Sequence, residues 1–205
     1  MNTAIRIFIG VFLTFATAWI GLVLVPHWQL KDLQSQKDEA LGTLNPAPYT
    51  GLEADGRRVY IDLGCTYCHT QQVRGGFYNA DLERGWGSRR SHPLDYIYDE
   101  PQLLGTMRTG PDLANIGVRQ PSEEWHHLHF YDPQITSPGS IMPPHRFLYE
   151  KRRIQGQPSA DALPLTGEFA PEEGYEVVPT YRAKALVAYM KRLDQSYDIV
   201  EEGDQ

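Results

Sequence analysis

Apolar residues are distributed along this chain in three ways, and each predicts a different element. Residues 7–25 (IFIGVFLTFATAWIGLVLV) form an unbroken apolar and small-residue run without a charge. At about 1.5 Å per residue, such a run spans roughly the 30 Å core of a bilayer. A cleaved signal peptide is the competing reading, but its apolar core usually covers about 7–15 residues and ends at a small-x-small site. Here the run leads into Pro26, His27 and Trp28. Trp28 suits an interfacial aromatic anchor. The pattern predicts a retained transmembrane anchor over residues 1–30.

The second pattern, residues 31–49, is polar and then Pro-rich (NPAP). It reads as a stalk or linker that could continue the anchor helix for a few turns. The third pattern has helical spacing and marks a domain over residues 50–195. Thr50 and Glu53 have capping-box spacing. They predict a helix over 51–63 with Leu52, Gly56, Val59, Tyr60 and Leu63 on one face. Ser122, followed by Glu123 and Glu124, predicts a short helix to about Phe130, ahead of Pro133. Over 180–193, Tyr181, Ala185, Leu186, Tyr189, Met190 and Leu193 give an amphipathic helix.

Between these helices the pattern is irregular. Residues 71–107 are aromatic and Gly-rich, with no repeat and no strand alternation. Residues 108–113 read as a turn and 137–144 (SPGSIMPP) as a stiff loop. Residues 146–178 are mostly polar and read as a surface insertion. The acidic tail, 196–205, reads as frayed. The fold class expected is all-α: one transmembrane helix followed by a loop-rich domain.

Composition narrows the partners. With 26 acidic and 19 basic residues the net charge is −7, which excludes a nucleic-acid-binding surface. An acidic exposed domain suits a basic partner. The two cysteines fall in one motif, so there is no disulfide framework.

That motif, Cys65-Thr66-Tyr67-Cys68-His69, carries the chemistry. C-x-x-C-H is the attachment site of a c-type haem. Each thiol adds across one vinyl group on the same porphyrin edge, and the next residue can then reach the iron. Cys65 and Cys68 are the candidate thioether anchors of one covalent haem c, and His69 the proximal ligand. The rival is a tethered dithiol oxidoreductase using Cys65 and Cys68, which needs neither His69 nor a second ligand. Charge flanking the anchor weakly favours a cytoplasmic N-terminus. A c-type haem decides the matter, because such haems are attached outside the cytoplasm.

Methionine is the usual partner to histidine in electron-transfer c haems. Met1 lies on the wrong side of the membrane, Met190 reads as core filler, and Met107 precedes the turn at 108–113. Met142, held in I-M-P-P, is the favoured distal ligand, because prolines remove backbone freedom. His126, His127 and His129 read as a solvated helix face, with a surface metal site as the alternative. His145 lies near Met142, and His27 and His92 read as surface or interface residues. Val59, Tyr60, Leu63, Leu113, Ile116, Ile141 and Tyr189 are candidates for an apolar shell. No catalytic triad, phosphate loop or carboxylate pair suggests an active site of the chain's own.

With these residues placed, the chain resembles the membrane-anchored mono-haem cytochrome c subunit of cbb3-type cytochrome c oxidases, the FixO type. The stretches that carry the resemblance are EADGRRVYIDLGCTYCH (53–69), YDEP (98–101), RTGPDLANIG (108–117), EEWHHLH (123–129) with DP (132–133), and SIMP (140–143). The resemblance implies a class I-like cytochrome c domain with His69 and Met142 as axial ligands and Pro111 near the proximal histidine. It also implies a single-pass protein of the bacterial inner membrane with its haem domain in the periplasm. Electrons would pass toward a haem–copper catalytic subunit, beside a further cytochrome c subunit. The EWHHLH segment would be interface or structural. The anchored cytochrome of nitric oxide reductases is the nearest alternative, and a free-standing membrane shuttle the next.

Overall fold

The computed structural model describes residues 2–40, 42–77 and 80–200. Met1, part of the irregular 71–107 stretch and the last five residues of the tail lie outside them.

One continuous helix covers Thr3–Leu30. It comprises α1 (Thr3–Trp19), a π turn (Ile20–Leu24) and α2 (Val25–Leu30). At about 1.5 Å per residue it is long enough to cross a bilayer with turns to spare. Its apolar side chains lie exposed, as lipid-facing ones must. The π turn has a local cause. Pro26 offers no N–H and its ring crowds the preceding turn, and the Val25 N–H reaches back to the Ile20 carbonyl, one residue further than in an α-helix. The Thr14 hydroxyl donates to the Gly10 carbonyl at 2.9 Å, so it carries no unmet bond into lipid.

The linker is laced to the domain. β1 (Gln36–Lys37) pairs antiparallel with β2 (Leu44–Asn45). The Ser35 hydroxyl meets the Pro46 carbonyl and the Tyr98 hydroxyl, each at 2.7 Å. The Gln36 side chain bonds both backbone polar groups of Val200.

α3 (Gly51–Asp62) follows. Thr50 stands at its N-cap, but its hydroxyl makes no capping bond, so the expected capping box does not form. Gly51 at φ +52° takes the first residue out of right-handed helical geometry. Glu53 turns instead toward Arg192, 3.7 Å away. The expected face is otherwise inward at Gly56, Val59 and Tyr60.

Two segments after α3 tie back to the chain ends. His92 caps a 3-10 turn at Pro93–Tyr96, accepting from the Leu94 N–H while Asp95 accepts from the His92 N–H. The start of the tail is held as well, with the Tyr197 hydroxyl donating to Asp95 at 2.6 Å.

Three short helices come next: α4 (Ile116–Arg119), α5 (Glu123–Tyr131) and α6 (Pro133–Thr136). Ser122 caps α5 as its position suggested, accepting from the Trp125 N–H. α7 (Tyr181–Arg192) closes the domain, capped by Thr180. It crosses α3 in backbone contact, where a Cβ on Gly56 would lie 1.9 Å from the Ala185 carbonyl oxygen. Only glycine permits that approach. Tyr60 and Tyr189 pack edge to face in the crossing, with ring centroids 5.5 Å apart.

The domain is not purely helical, which corrects the all-α expectation. β3 (Tyr149–Arg153) pairs antiparallel with β4 (Tyr175–Pro179), from Tyr149↔Pro179 to Arg153↔Tyr175. The base of this hairpin puts Tyr149 and Val177 into the same core as α3 and α7. Residues 146–178 are thus a hairpin rooted in the core, and the segment between its strands returns Leu163 and Leu165 to that core. The charged face of β3 (Glu150, Lys151, Arg152, Arg153) is exposed and hid the strand from any reading by alternation.

Candidate functional site

The C-x-x-C-H pentapeptide directly follows α3. Gly64 at φ +70° turns the chain out of the helix. Cys65–Tyr67 then form a 3-10 turn, and the His69 N–H bonds back to the Cys65 carbonyl at 3.0 Å. Helical winding places residues three and four apart on one side, so Cys65, Cys68 and His69 face the same space. The thiols are free. Burial pushes the Cys65 thiol up to about 12. A redox dithiol needs the opposite, a thiol made acidic by its surroundings.

His69 is held from behind. Its Nδ1 lies 2.8 Å from the Pro111 carbonyl oxygen. A carbonyl can only accept, so Nδ1 carries the proton and Nε2 keeps its lone pair free for a metal. Burial lowers the His69 pKa, which favours the neutral, ligating form, and the Pro111 bond opposes this in part. The His69 ring packs against Gly110, where a Cβ would come within 2.2 Å of Cε1. Two backbone rungs flank the pair, from Gly110 N–H to the Cys68 carbonyl at 2.9 Å and from Leu113 N–H to the Thr70 carbonyl at 2.8 Å.

These residues form one wall of a cavity of about 610 Å³. Leu113, Ile116, Tyr60, Phe130, Met190 and the loop from Ser137 to Pro143, with Met142, also line it. Such a volume suits a large organic cofactor. Met142 is half-buried and packed on the core. Met190, expected as core filler, is core and also lines the cavity, whereas Met107 is 58% exposed and does not line it. Of the expected shell, Val59 and Tyr189 belong to the core and Leu63 packs against it, and none of the three lines the cavity.

The histidine cluster is not a solvated face. His126 and His127 are buried and His129 is half-buried. His126 Nε2 donates to the Gln120 carbonyl at 2.8 Å. His127 Nδ1 lies 3.1 Å from the Tyr149 hydroxyl, which donates to the His127 carbonyl. His129 bonds Thr136 through Nδ1 at 2.6 Å and stacks on Trp125. Burial and the neighbouring imidazoles push its pKa down to about 4. Each ring already has a structural partner, and no three metal-binding side chains converge among the described residues. His126 and His129 nonetheless line the cavity.

Sequence reasoning missed two residues here. Gln134, on α6, clamps the Met142 loop through the Ser140 carbonyl at 2.9 Å and the Gly139 N–H at 3.0 Å. Arg119 lines the cavity and donates through Nη2 to the Asp112 carbonyl. Its Nε is buried without a partner. Among the described residues no carboxylate pairs with Arg119, and burial lowers its pKa against the pull of Asp112. A half-buried guanidinium with a buried, unpartnered Nε and no carboxylate beside it suits an anion. A haem brings two propionate carboxylates, so thiols, imidazole, thioether and cation together fit that group. The only sequence signal for Arg119 was its place six residues after the turn at 108–113.

These features define a class: a domain tethered by one membrane-length helix, with a haem-binding motif opening onto an apolar cavity. Within it, the chain belongs to the family described as cytochrome c oxidase, mono-heme subunit/FixO, whose model matches residues 2–166. It is therefore a mono-haem, membrane-bound oxidase subunit that takes part in electron transfer. No curated protein matches the chain.

Proposed function

We propose that the chain relays electrons through one covalently bound c-type haem toward the haem–copper catalytic subunit of a cbb3-type terminal oxidase. The observation that carries this reading is convergence: Cys65, Cys68, His69 and Met142 line one cavity. Cys65 and Cys68 would hold the group through two thioethers, each made by adding S–H across a vinyl group, so no oxidant would be needed. His69 would hold the iron through Nε2 and Met142 through its thioether. When bound, the haem supplies a one-electron ferric–ferrous couple. With His69 and Met142 both on the iron, no open position would remain for a substrate, so this chain would carry electrons and its partner would do the catalysis.

Tyr60, Leu113, Ile116 and Phe130 exclude water, which keeps the potential up. Arg119 takes a propionate through charge-assisted bonds. The domain sits in the periplasm and the N-terminus in the cytoplasm of a bacterial inner membrane, beside a further cytochrome c subunit. The test is purification in detergent. A haem that survives denaturing electrophoresis, a c-type band in the reduced-minus-oxidised spectrum, and co-purification with a subunit carrying haem b and copper are expected. Protein without covalent haem overturns the reading.

A further inference from the structure

Behind His69 lies a buried ionic cluster that the axial ligands alone do not require. The Asp112 carboxylate is fully buried and accepts three hydrogen bonds: from the Thr70 hydroxyl at 2.5 Å, the Gln72 N–H at 2.8 Å and the Ala114 N–H at 2.8 Å. Thr70 directly follows His69, and Asp112 directly follows Pro111. The Thr70–Asp112 bond therefore runs beside the His69–Pro111 bond and ties together the two segments that make it. Arg108 stands over both. Its guanidinium forks onto Asp81 at 2.6 and 2.8 Å, donates to Thr70 at 2.9 Å, and approaches Asp112 at 3.7 Å. Asp81 is fully buried too. Two buried carboxylates thus share one guanidinium that is spent mainly on Asp81. Arg119 bonds the Asp112 carbonyl, not its carboxylate.

We propose that Asp112 is a positioning residue for the haem, locking the His69–Pro111 bond in place and holding the reduction potential down with its buried charge. The inference rests on the haem reading above. Two effects act in the same sense. A fixed Nδ1–H···O bond makes Nε2 a better donor, which favours ferric iron. A carboxylate that shares its nearest guanidinium with a second carboxylate also stabilises, in a low-dielectric interior, the form with one more positive charge. Loosening the site, by contrast, admits water and lowers the potential further. The sign of the change therefore separates the proposed role from a merely structural one.

The experiment is a redox titration of the haem-loaded, full-length protein in detergent. Asp112→Asn keeps the shape and removes the charge. It is expected to raise the ferrous-over-ferric equilibrium about tenfold, or ~59 mV for one electron. Asp112→Glu, which keeps the charge, is expected to stay nearer the wild type. An unchanged or lowered potential in D112N overturns the proposal. If D112N does not mature, Asp81→Asn decides. It removes the carboxylate that holds the Arg108 fork and frees that guanidinium for Asp112, so the potential is expected to rise, whereas a merely loosened site would lower it. An unchanged or lowered potential in D81N then overturns the proposal. Failure of the haem reading looks different: the wild type then carries no haem, or keeps its spectrum in His69→Ala.

Discussion

The His69 side of the cavity is tied by backbone rungs and buried ions to distant segments, whereas the Met142 loop is held by one exposed glutamine, bonds within itself and the packing of Met142. On the first side the ring packs against Gly110, bonds Pro111, and is flanked by two backbone hydrogen bonds. On the second, Ile141 is 80% exposed, and the loop is held by Gln134 and by the Ser140 hydroxyl, which accepts from the Met142 N–H at 3.3 Å. The difference teaches that a site can be rigid on one side and compliant on the other. The rigid side sets the geometry and the compliant side completes it. Substitutions on the two sides should therefore fail differently.

The largest effect is expected at Gly110. An alanine there puts a methyl group 2.2 Å from the His69 ring. The neighbouring backbone is pinned on both sides, so the ring must leave the Pro111 carbonyl. Such overpacking costs about 3 kcal/mol or more. Gly110→Ala should abolish the low-spin haem spectrum, measured as absorbance per mole of protein. A retained spectrum would break the comparison, because the His69 side would then be as yielding as the Met142 side.

Next in size is the ionic cluster that supports that side. Burial alone would raise the Asp81 pKa, but the Arg108 fork and the Arg74 N–H outweigh it and hold the carboxyl below its ordinary value of 3.8. As pH falls, the unfolded chain takes up this proton first. The stabilisation is therefore present above about pH 3.8 and is lost as pH falls through the lower folded value. Denaturant midpoints measured from pH 6 to 2 should show that loss. Asp81→Asn should remove this part of the slope and cost about 3 kcal/mol at neutral pH, because Arg108 is left facing no fork.

On the compliant side, Met142→His should leave the haem attached and low-spin, since the loop can adjust to a new ligand. Its potential should fall by at least about tenfold in the reduction equilibrium, ~59 mV. The weak red absorption of methionine-ligated ferric haem should vanish. Met107→His, outside the cavity, should change neither. The same shift in M107H would mean that the other methionine is the ligand.

The same divide explains what could be read in the chain beforehand. Cys65, Cys68, His69 and Met142 sit in short motifs with local spacing, so the sequence singled them out, and the fold brings them to one cavity. The anchor, α5 and α7 were legible because length, caps and helical spacing are local. The hairpin of β3 and β4 was not, since its partners lie more than twenty residues apart and its exposed face is charged. The histidines of α5 looked solvated because their partners, Gln120, Thr136 and Tyr149, come from outside the helix. Asp112, Arg108 and Asp81 gave no periodic signal, because polar groups in irregular segments meet only after folding.

The smallest effect is expected at Gln134, and it sharpens the comparison most. Its side chain spans the loop, donating to the Ser140 carbonyl and accepting from the Gly139 N–H. Gly139 sits at φ +83°, so this turn has no side chain of its own to lean on. Gln134→Ala removes both bonds, each worth about 1 kcal/mol at most in so exposed a place. The fold, the haem content and the His69 side should be untouched, because the two sides share no hydrogen-bonded partner. Only the time that Met142 spends in place should shorten. Exogenous imidazole should then displace the methionine roughly tenfold faster, as two partly exposed hydrogen bonds allow. The thermal midpoint should move little, and Asp112→Asn should not alter this displacement rate. Equal displacement rates in Q134A and wild type would mean that the Met142 loop is held by its prolines and packing alone.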